Sequence, residues 1–163
     1  MPKHSEDRTL PYSAAQIYDL VADVARYPEF LPWTAAARIR SRSPLAERGA
    51  GAEVMEADLV ISFKVFRERF GSRVVLLPAQ GRIETTYLDG PFRYLVSSWD
   101  IADRAQGGCS VRFDVDFEFR NALLQRVIGV VFDEAMRRVV GAFERRAQAL
   151  YGSATGSGPA EGT

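Results

Sequence analysis

Between residues 109 and 120 apolar and polar side chains alternate without a break. Val111, Phe113, Val115, Phe117 and Phe119 are interleaved with Arg112, Asp114, Asp116, Glu118 and Arg120. A period of two puts each set on its own face of an extended strand, one dry and one wet. The run EVMEADLVISF follows the same rule, with Met55, Ala57, Leu59, Ile61 and Phe63 sharing a face. Further strand patterns fall near residues 3–10, 35–43, 65–77, 80–88 and 92–102, punctuated by the turn-forming clusters ERGAG, PAQG, DGPF and QGG. Both legible strands need a cover on one side only.

The cover comes from the end of the chain. Leu124, Val127, Ile128, Val131, Ala135, Val139, Phe143, Ala147 and Leu150 recur at helical spacing behind Asn121, a natural N-cap. A helix from there to Tyr151 is about 45 Å long at about 1.5 Å per residue, enough to cross a sheet. A shorter amphipathic helix is expected after Ser13, carrying Ile17, Leu20, Val21 and Val24. The stretch RYPEFLPW then interrupts helical structure, because the residue before a proline avoids the helical region; Tyr27 and Leu31 each precede one. Strands joined by short turns pair antiparallel, since parallel pairing needs crossover segments. The expected class is α+β: a curved antiparallel sheet of about six to seven strands wrapped around a long C-terminal helix, with two short helices after the first strand.

Composition narrows the function. The 163 residues suit one domain, expected over 1–151, and the small, polar, glycine-rich segment 152–163 is expected to be a disordered tail. A formal net charge of +0 removes a whole-molecule electrostatic argument for DNA or anionic membrane. The polar start, MPKHSEDR, lacks the apolar core of a secretory signal, and no run reaches the length of a membrane span. A cytoplasmic protein, at most peripheral to the inner membrane, is expected. The lone Cys109 has no partner for an internal disulfide or a thiolate metal site.

Candidate catalytic chemistry is thin. The only histidine, His4, is expected to be a solvent-exposed strand residue near a terminus rather than a base. Asp114, Asp116 and Glu118 occupy the wet face of one strand, where solvation explains them. The glycine clusters lack the lysine and following helix of a phosphate cradle. Arg126, Arg137, Arg138, Arg145 and Arg146 are interspersed with acids along the long helix, as on a solvated face; a nucleic-acid surface is the alternative. No catalytic residue, metal or cofactor is expected.

The supply of apolar lining is generous instead. A straight helix cannot lie flush on a curved sheet, so a tunnel between them is one expectation and a solid core the other. Met55, Leu59, Ile61, Leu95, Trp99, Phe113, Val115, Phe117, Val127, Val131 and Met136 are placed to line such a tunnel. Tyr27, Phe30, Leu31 and Trp33 lie in a loop stiffened by Pro28 and Pro32. In the helix-grip arrangement that this order of elements resembles, that segment caps one end of the helix–sheet gap, as a gate at the tunnel mouth or as a hydrophobic plug. Ser97, Thr85 and Tyr87 are candidate polar contacts. The start of the long helix, LLQRVIGVVF, is apolar on more than one face, so Leu124 and Val130 could meet a lipid surface or a protein.

The order of elements resembles the helix-grip fold of START-like domains. YDLVADVARYPEFLPW (18–33), DGPFRYLVSSW (89–99) and VDFEFRNALLQRVIGVVF (115–132) together resemble the coenzyme Q-binding protein family, grouped with polyketide cyclase-like proteins. The resemblance spans roughly residues 3–151, with Thr34 where many relatives carry a cysteine. It implies non-catalytic binding and delivery of ubiquinone or a related isoprenoid lipid in support of respiration, with Phe92 and Trp99 as ligand-site residues. Some relatives are described as ribosome-associating toxins that block subunit joining, which implies the large ribosomal subunit as an alternative partner. Others are polyketide cyclases, which would need acid-base groups inside the tunnel.

Overall fold

The computed structural model describes residues 3–63 and 66–152; the expected tail beyond Gly152 lies outside them. Strand β1 (Lys3–Leu10) leads into helix α1 (Ala14–Ala22), a 3₁₀ segment (Val24–Glu29), then β2 (Thr34–Pro44), β3 (Glu53–Phe63), β4 (Phe66–Leu77), β5 (Arg82–Asp89), β6 (Phe92–Asp103), β7 (Cys109–Phe119) and helix α2 (Ala122–Tyr151). The strands form one seven-stranded sheet in the order β1-β7-β6-β5-β4-β3-β2, every neighbour antiparallel. Six strands thus meander in sequence, and β1 closes onto the last of them.

Local chemistry explains the element ends. Ser13 caps α1 with a full capping box, its hydroxyl accepting from the Gln16 amide while the Gln16 side chain accepts from the Ser13 amide. Asn121 caps α2 by accepting from the Leu124 amide at 3.0 Å. Pro28 sits inside the 3₁₀ segment, whose tighter pattern ends where the chain turns toward β2. At the β5–β6 turn Gly90 has φ 137°, and a Cβ there would come within 2.6 Å of the Phe70 Cβ, so only glycine fits.

The alternation read from the sequence sets the faces. Val111, Phe113, Val115 and Phe117 are buried on the concave side with Met55 and Ala57, and α2 lies across that side. The backbone of α2 comes nearest to α1, β1 and β7. It stands off from the middle strands, because a straight 30-residue helix and a twisted sheet diverge.

Two expectations are corrected. His4 is not solvent-exposed: its side chain is 9% exposed, packs edge-on against Phe132 and joins Glu6 and Asp133 through its two ring nitrogens at 2.8 and 3.0 Å. It ties β1 to α2, and alternation along β1 turns it, with Glu6 and Arg8, toward the helix rather than toward water. The apolar stripe of α2 is also narrower than its spacing suggests, since Val131 and Leu150 are 38% and 52% exposed.

Candidate functional site

The divergence of helix and sheet leaves a cavity of about 280 Å³. β3 to β7 supply its floor and α2 its roof, and the loop from Leu31 to Trp33 stands at one side. The cavity extends toward the edge where β3 ends, β4 begins, the β5–β6 turn lies and β7 passes into α2. Glu68, Pro91, Phe119 and Leu124 line that open end.

Of the expected site residues, Tyr27, Leu31, Trp33, Leu59 and Phe92 lie on the cavity wall, as do Leu95, Trp99, Phe113 and Phe117. Ile61, Val115, Met136, Thr85 and Ser97 do too. Phe30, Val127 and Val131 do not line it. Phe30 turns instead to Phe143, 5.2 Å between ring centroids, and carries the Arg146 guanidinium 5.1 Å above its face. Val127 and Val131 fall on the outward side of α2. Met55 is packed solid beneath the wall, and Tyr87 supports the rim, its hydroxyl accepting from the Phe92 amide at 3.1 Å.

Two aromatic clusters frame the space. Phe143 gathers Tyr27, Phe30 and Trp99 at centroid distances of 5.4, 5.2 and 5.0 Å. Phe92 gathers Phe70, Tyr87, Phe117 and Phe119 at 5.1, 5.6, 5.3 and 4.7 Å nearer the open end. Phe92 and Phe119 stack and the other pairs meet edge to face, and such packing holds rings in place and so keeps walls apart. Phe143, Phe119, Ile128, Ala135 and Val139 were not singled out as wall residues from sequence. The β7-to-α2 junction carries the signal for Phe119, which continues the inward alternation of β7.

Polar chemistry inside is sparse. Thr85 and Ser97 are paired across β5 and β6, in the same row as Val74 and Val115, and form a small hydroxyl spot on an otherwise apolar floor. The Ser72 hydroxyl donates to the Ala57 carbonyl at 3.5 Å, and that of Tyr27 to the Val21 carbonyl. Burial raises the Tyr27 phenol far above its ordinary value, so it stays protonated. Among the described wall residues Glu68 is the one ionisable carboxylate, and it stands at the open end. Cys109 lies outside the wall, fully buried, with burial pushing its thiol pKa up. Among the described residues no group of three His, Cys, Asp or Glu side chains is placed to hold a metal. The arrangement suits an elongated apolar molecule with a small hydrogen-bonding group.

The fold and cavity define a class, and sequence comparison agrees. Residues 10–144 match the family described as polyketide cyclase / dehydrase and lipid transport, and the chain belongs to it. Within that family the chain is 34% identical over 151 residues, 93% of its length and 90% of theirs, to the ribosome association toxin RatA of Escherichia coli. It is 35% identical over 143 residues to the protein of that name from Pseudomonas aeruginosa, covering 88% of this chain and 93% of the other. It is also 32% identical over 154 residues to the mitochondrial coenzyme Q-binding protein COQ10 homolog B of Xenopus laevis, of which it spans 59%. The solution structure of an 18 kDa protein from Caulobacter crescentus superposes with a TM-score of 0.76 at 30% identity, covering 94% of this chain and all of the other. A START superfamily protein of Mycobacterium smegmatis shares the fold, with a TM-score of 0.70 at 20% identity over 91% of this chain and 98% of the other. No described helix is long and apolar enough to cross a membrane.

Proposed function

We propose that this protein is a non-catalytic binding protein that associates with the ribosome and interferes with the joining of its subunits. The relation to bacterial ribosome association toxins carries the reading: it runs at 34–35% identity through nearly the whole length of both chains. The near absence of ionisable groups on the cavity wall supports a binder over a cyclase, which would need an acid and a base beside its substrate. Contact with ribosomal RNA requires exposed cations, and on the outer face of α2 Arg145 supplies one and Arg138, which also holds Glu134, a second. The test is sedimentation of the purified protein with large ribosomal subunits at rising salt. Salt-sensitive cosedimentation, lost in Arg138→Glu/Arg145→Glu, supports the reading; a protein that stays in the supernatant at low salt refutes it.

A separate observation, the apolar cavity, favours a second reading in which ubiquinone or a related isoprenoid lipid is bound there. A volume of about 280 Å³ is just below the roughly 300–1,000 Å³ typical of ligand sites. It has room for a quinone head group and little of the tail, so a long tail would continue through the open end. Tail burial contributes about 0.8 kcal/mol per methylene before ordering costs, and the Thr85–Ser97 spot would orient the head. Organic extraction of protein purified without detergent, followed by mass spectrometry, tests it. Recovered isoprenoid that is lost in Leu95→Glu supports the cavity as a lipid site; none recovered, with decylubiquinone also failing to bind, refutes it.

A further inference from the structure

We infer that the outer face of the first turns of α2 docks on an anionic lipid bilayer. Those turns are apolar on both sides. Leu124 and Ile128 point into the cavity, whereas Leu123 and Val130 are 60% and 83% exposed and Val131 is 38% exposed on the opposite side, with Val127 between them. Positions 123, 127, 130 and 131 fall on one stripe of a helix. The stripe ends where Glu134 is held by Arg137 and Arg138, so it is confined to the part of α2 that flanks the open end of the cavity.

The charges around it select the partner. Arg8, Arg40, Arg48, Arg69, Arg82, Arg93 and Arg112 are all ion-paired. Among the described residues Arg67, Arg73, Arg104, Arg120, Arg126 and Arg145 form no salt bridge, and of these Arg120, at the β7–α2 junction, and Arg126, on the first turns of α2, adjoin the stripe. An exposed valine and leucine flanked by the guanidinium groups of Arg120 and Arg126 match the interfacial layer of an anionic membrane. Acyl chains there receive the apolar side chains and phosphates receive the arginines. A nucleic-acid surface would use the arginines but leave Leu123 and Val130 against polar phosphates and sugars. The inference extends the reading of the cavity as a lipid site, since the docked face borders its opening. Vesicle binding reads the surface alone, whatever the cavity holds.

The test is co-flotation of the full chain with vesicles of phosphatidylcholine, with and without phosphatidylglycerol. The wild type is expected to float with the anionic vesicles, less so at high salt and little with phosphatidylcholine alone. Leu123→Ser/Val130→Asp is expected to lower partitioning at least tenfold with an unchanged melting temperature, since both side chains are already exposed. Each of Arg120→Gln and Arg126→Gln is expected to lower it about fivefold. Failure of the wild type to float, or equal flotation of the Leu123/Val130 variant, overturns the inference. So does loss of ribosome cosedimentation in the arginine variants with vesicle binding unchanged. Extraction of a bound isoprenoid from a protein that ignores vesicles would sink the docking surface while leaving the cavity reading intact.

Discussion

The two faces of the sheet solve opposite problems. The concave face carries aromatic and aliphatic side chains and encloses space; the convex face carries a lattice of ion pairs. Asp58, 5% exposed, accepts from Arg38 at 3.0 Å, from Arg40 at 2.6 and 3.0 Å and from Arg69 at 2.5 Å, and Arg40 and Arg69 also reach Asp89. Further along, Arg82 joins Glu84 to Asp100, and Arg112 joins Asp7 to Asp114. These pairs tie β2 to β3, β4 and β5, then β5 to β6, then β7 to β1. A sheet covering a hollow core lacks some of the packing that would fix strand positions from within. The charged lattice supplies that constraint from outside.

The concave face should be broken most deeply at Phe143, where α2, the 3₁₀ segment and β6 converge. Phe143→Ala is expected to cost about 3–5 kcal/mol in chemical denaturation, the range for a core aromatic. A loss under about 1 kcal/mol would mean that the cavity collapses freely to fill the gap, and that its walls are not held apart by the aromatic clusters.

The convex face should give way next. Hydrogen bonds from Arg40, joined by those from Arg38 and Arg69, hold the Asp58 carboxyl well below the usual carboxylate range, against the opposing effect of burial. A depressed folded pKa contributes stability that is complete above the unfolded value of about 3.9 and fades as pH falls below it. Glu84, Asp89 and Asp114 are lowered as well, so the lattice should loosen together below about pH 4. Asp58→Asn is expected to cost about 2 kcal/mol at pH 7. Arg38 and Arg69 reach solvent and rehydrate, which keeps the cost below the roughly 3–5 kcal/mol of a fully buried pair. Its urea midpoint should also depend less on pH in that window than the wild type's; equal slopes would remove Asp58 as the keystone.

These two faces were unequally legible in the sequence. Period-two alternation marked β3 and β7, Asn121 marked the start of α2, and together with the short turns they specified a curved antiparallel sheet under one helix. Most of the expected wall residues fall on the cavity because inward alternation on central strands leaves them nowhere else to point. Alternation does not say whether inward residues meet in a solid core, and it reads Asp58 as one more wet-face residue. The arginine cluster needs register: Asp58 pairs with Arg38 across β2 and with Gly71 across β4, and no single strand shows that. Val127 and Val131 were misplaced for a related reason, since a helix apolar on two faces carries no periodic signal for which face is inside. His4 needed the position of Asp133, far along the chain, to be seen as a bridge.

A smaller effect should separate binding from stability. Thr85→Val and Ser97→Val remove the hydroxyl spot while keeping shape, so each is expected to leave the melting temperature unchanged or raised. If that spot orients a quinone head, affinity for decylubiquinone should fall about fivefold per substitution, the worth of one neutral hydrogen bond. Unchanged affinity in the double variant would place the head group at the open end, beside Glu68.

The smallest effect concerns Trp33, which has φ 63°, a left-handed conformation that costs a residue with a Cβ about 1–2 kcal/mol. The local structure that holds it is visible: its carbonyl accepts from the Ser62 amide at 2.8 Å, and its ring packs edge-on against Phe63, 5.8 Å between centroids. The strain holds an indole at the side of the cavity where a chain in relaxed geometry would point elsewhere. Trp33→Gly relieves the strain and deletes the ring, two terms of similar size and opposite sign, so stability should stay within about 1 kcal/mol of the wild type. Trp33→Ala deletes the ring but keeps the strain, and should be less stable than the glycine variant by about 1 kcal/mol. Both should release decylubiquinone faster than the wild type, and to the same degree, if the indole guards the opening. Faster release from the glycine variant alone would assign the guarding to the rigidity of the loop; release at the wild-type rate from both would make the strained tryptophan a packing residue and nothing more.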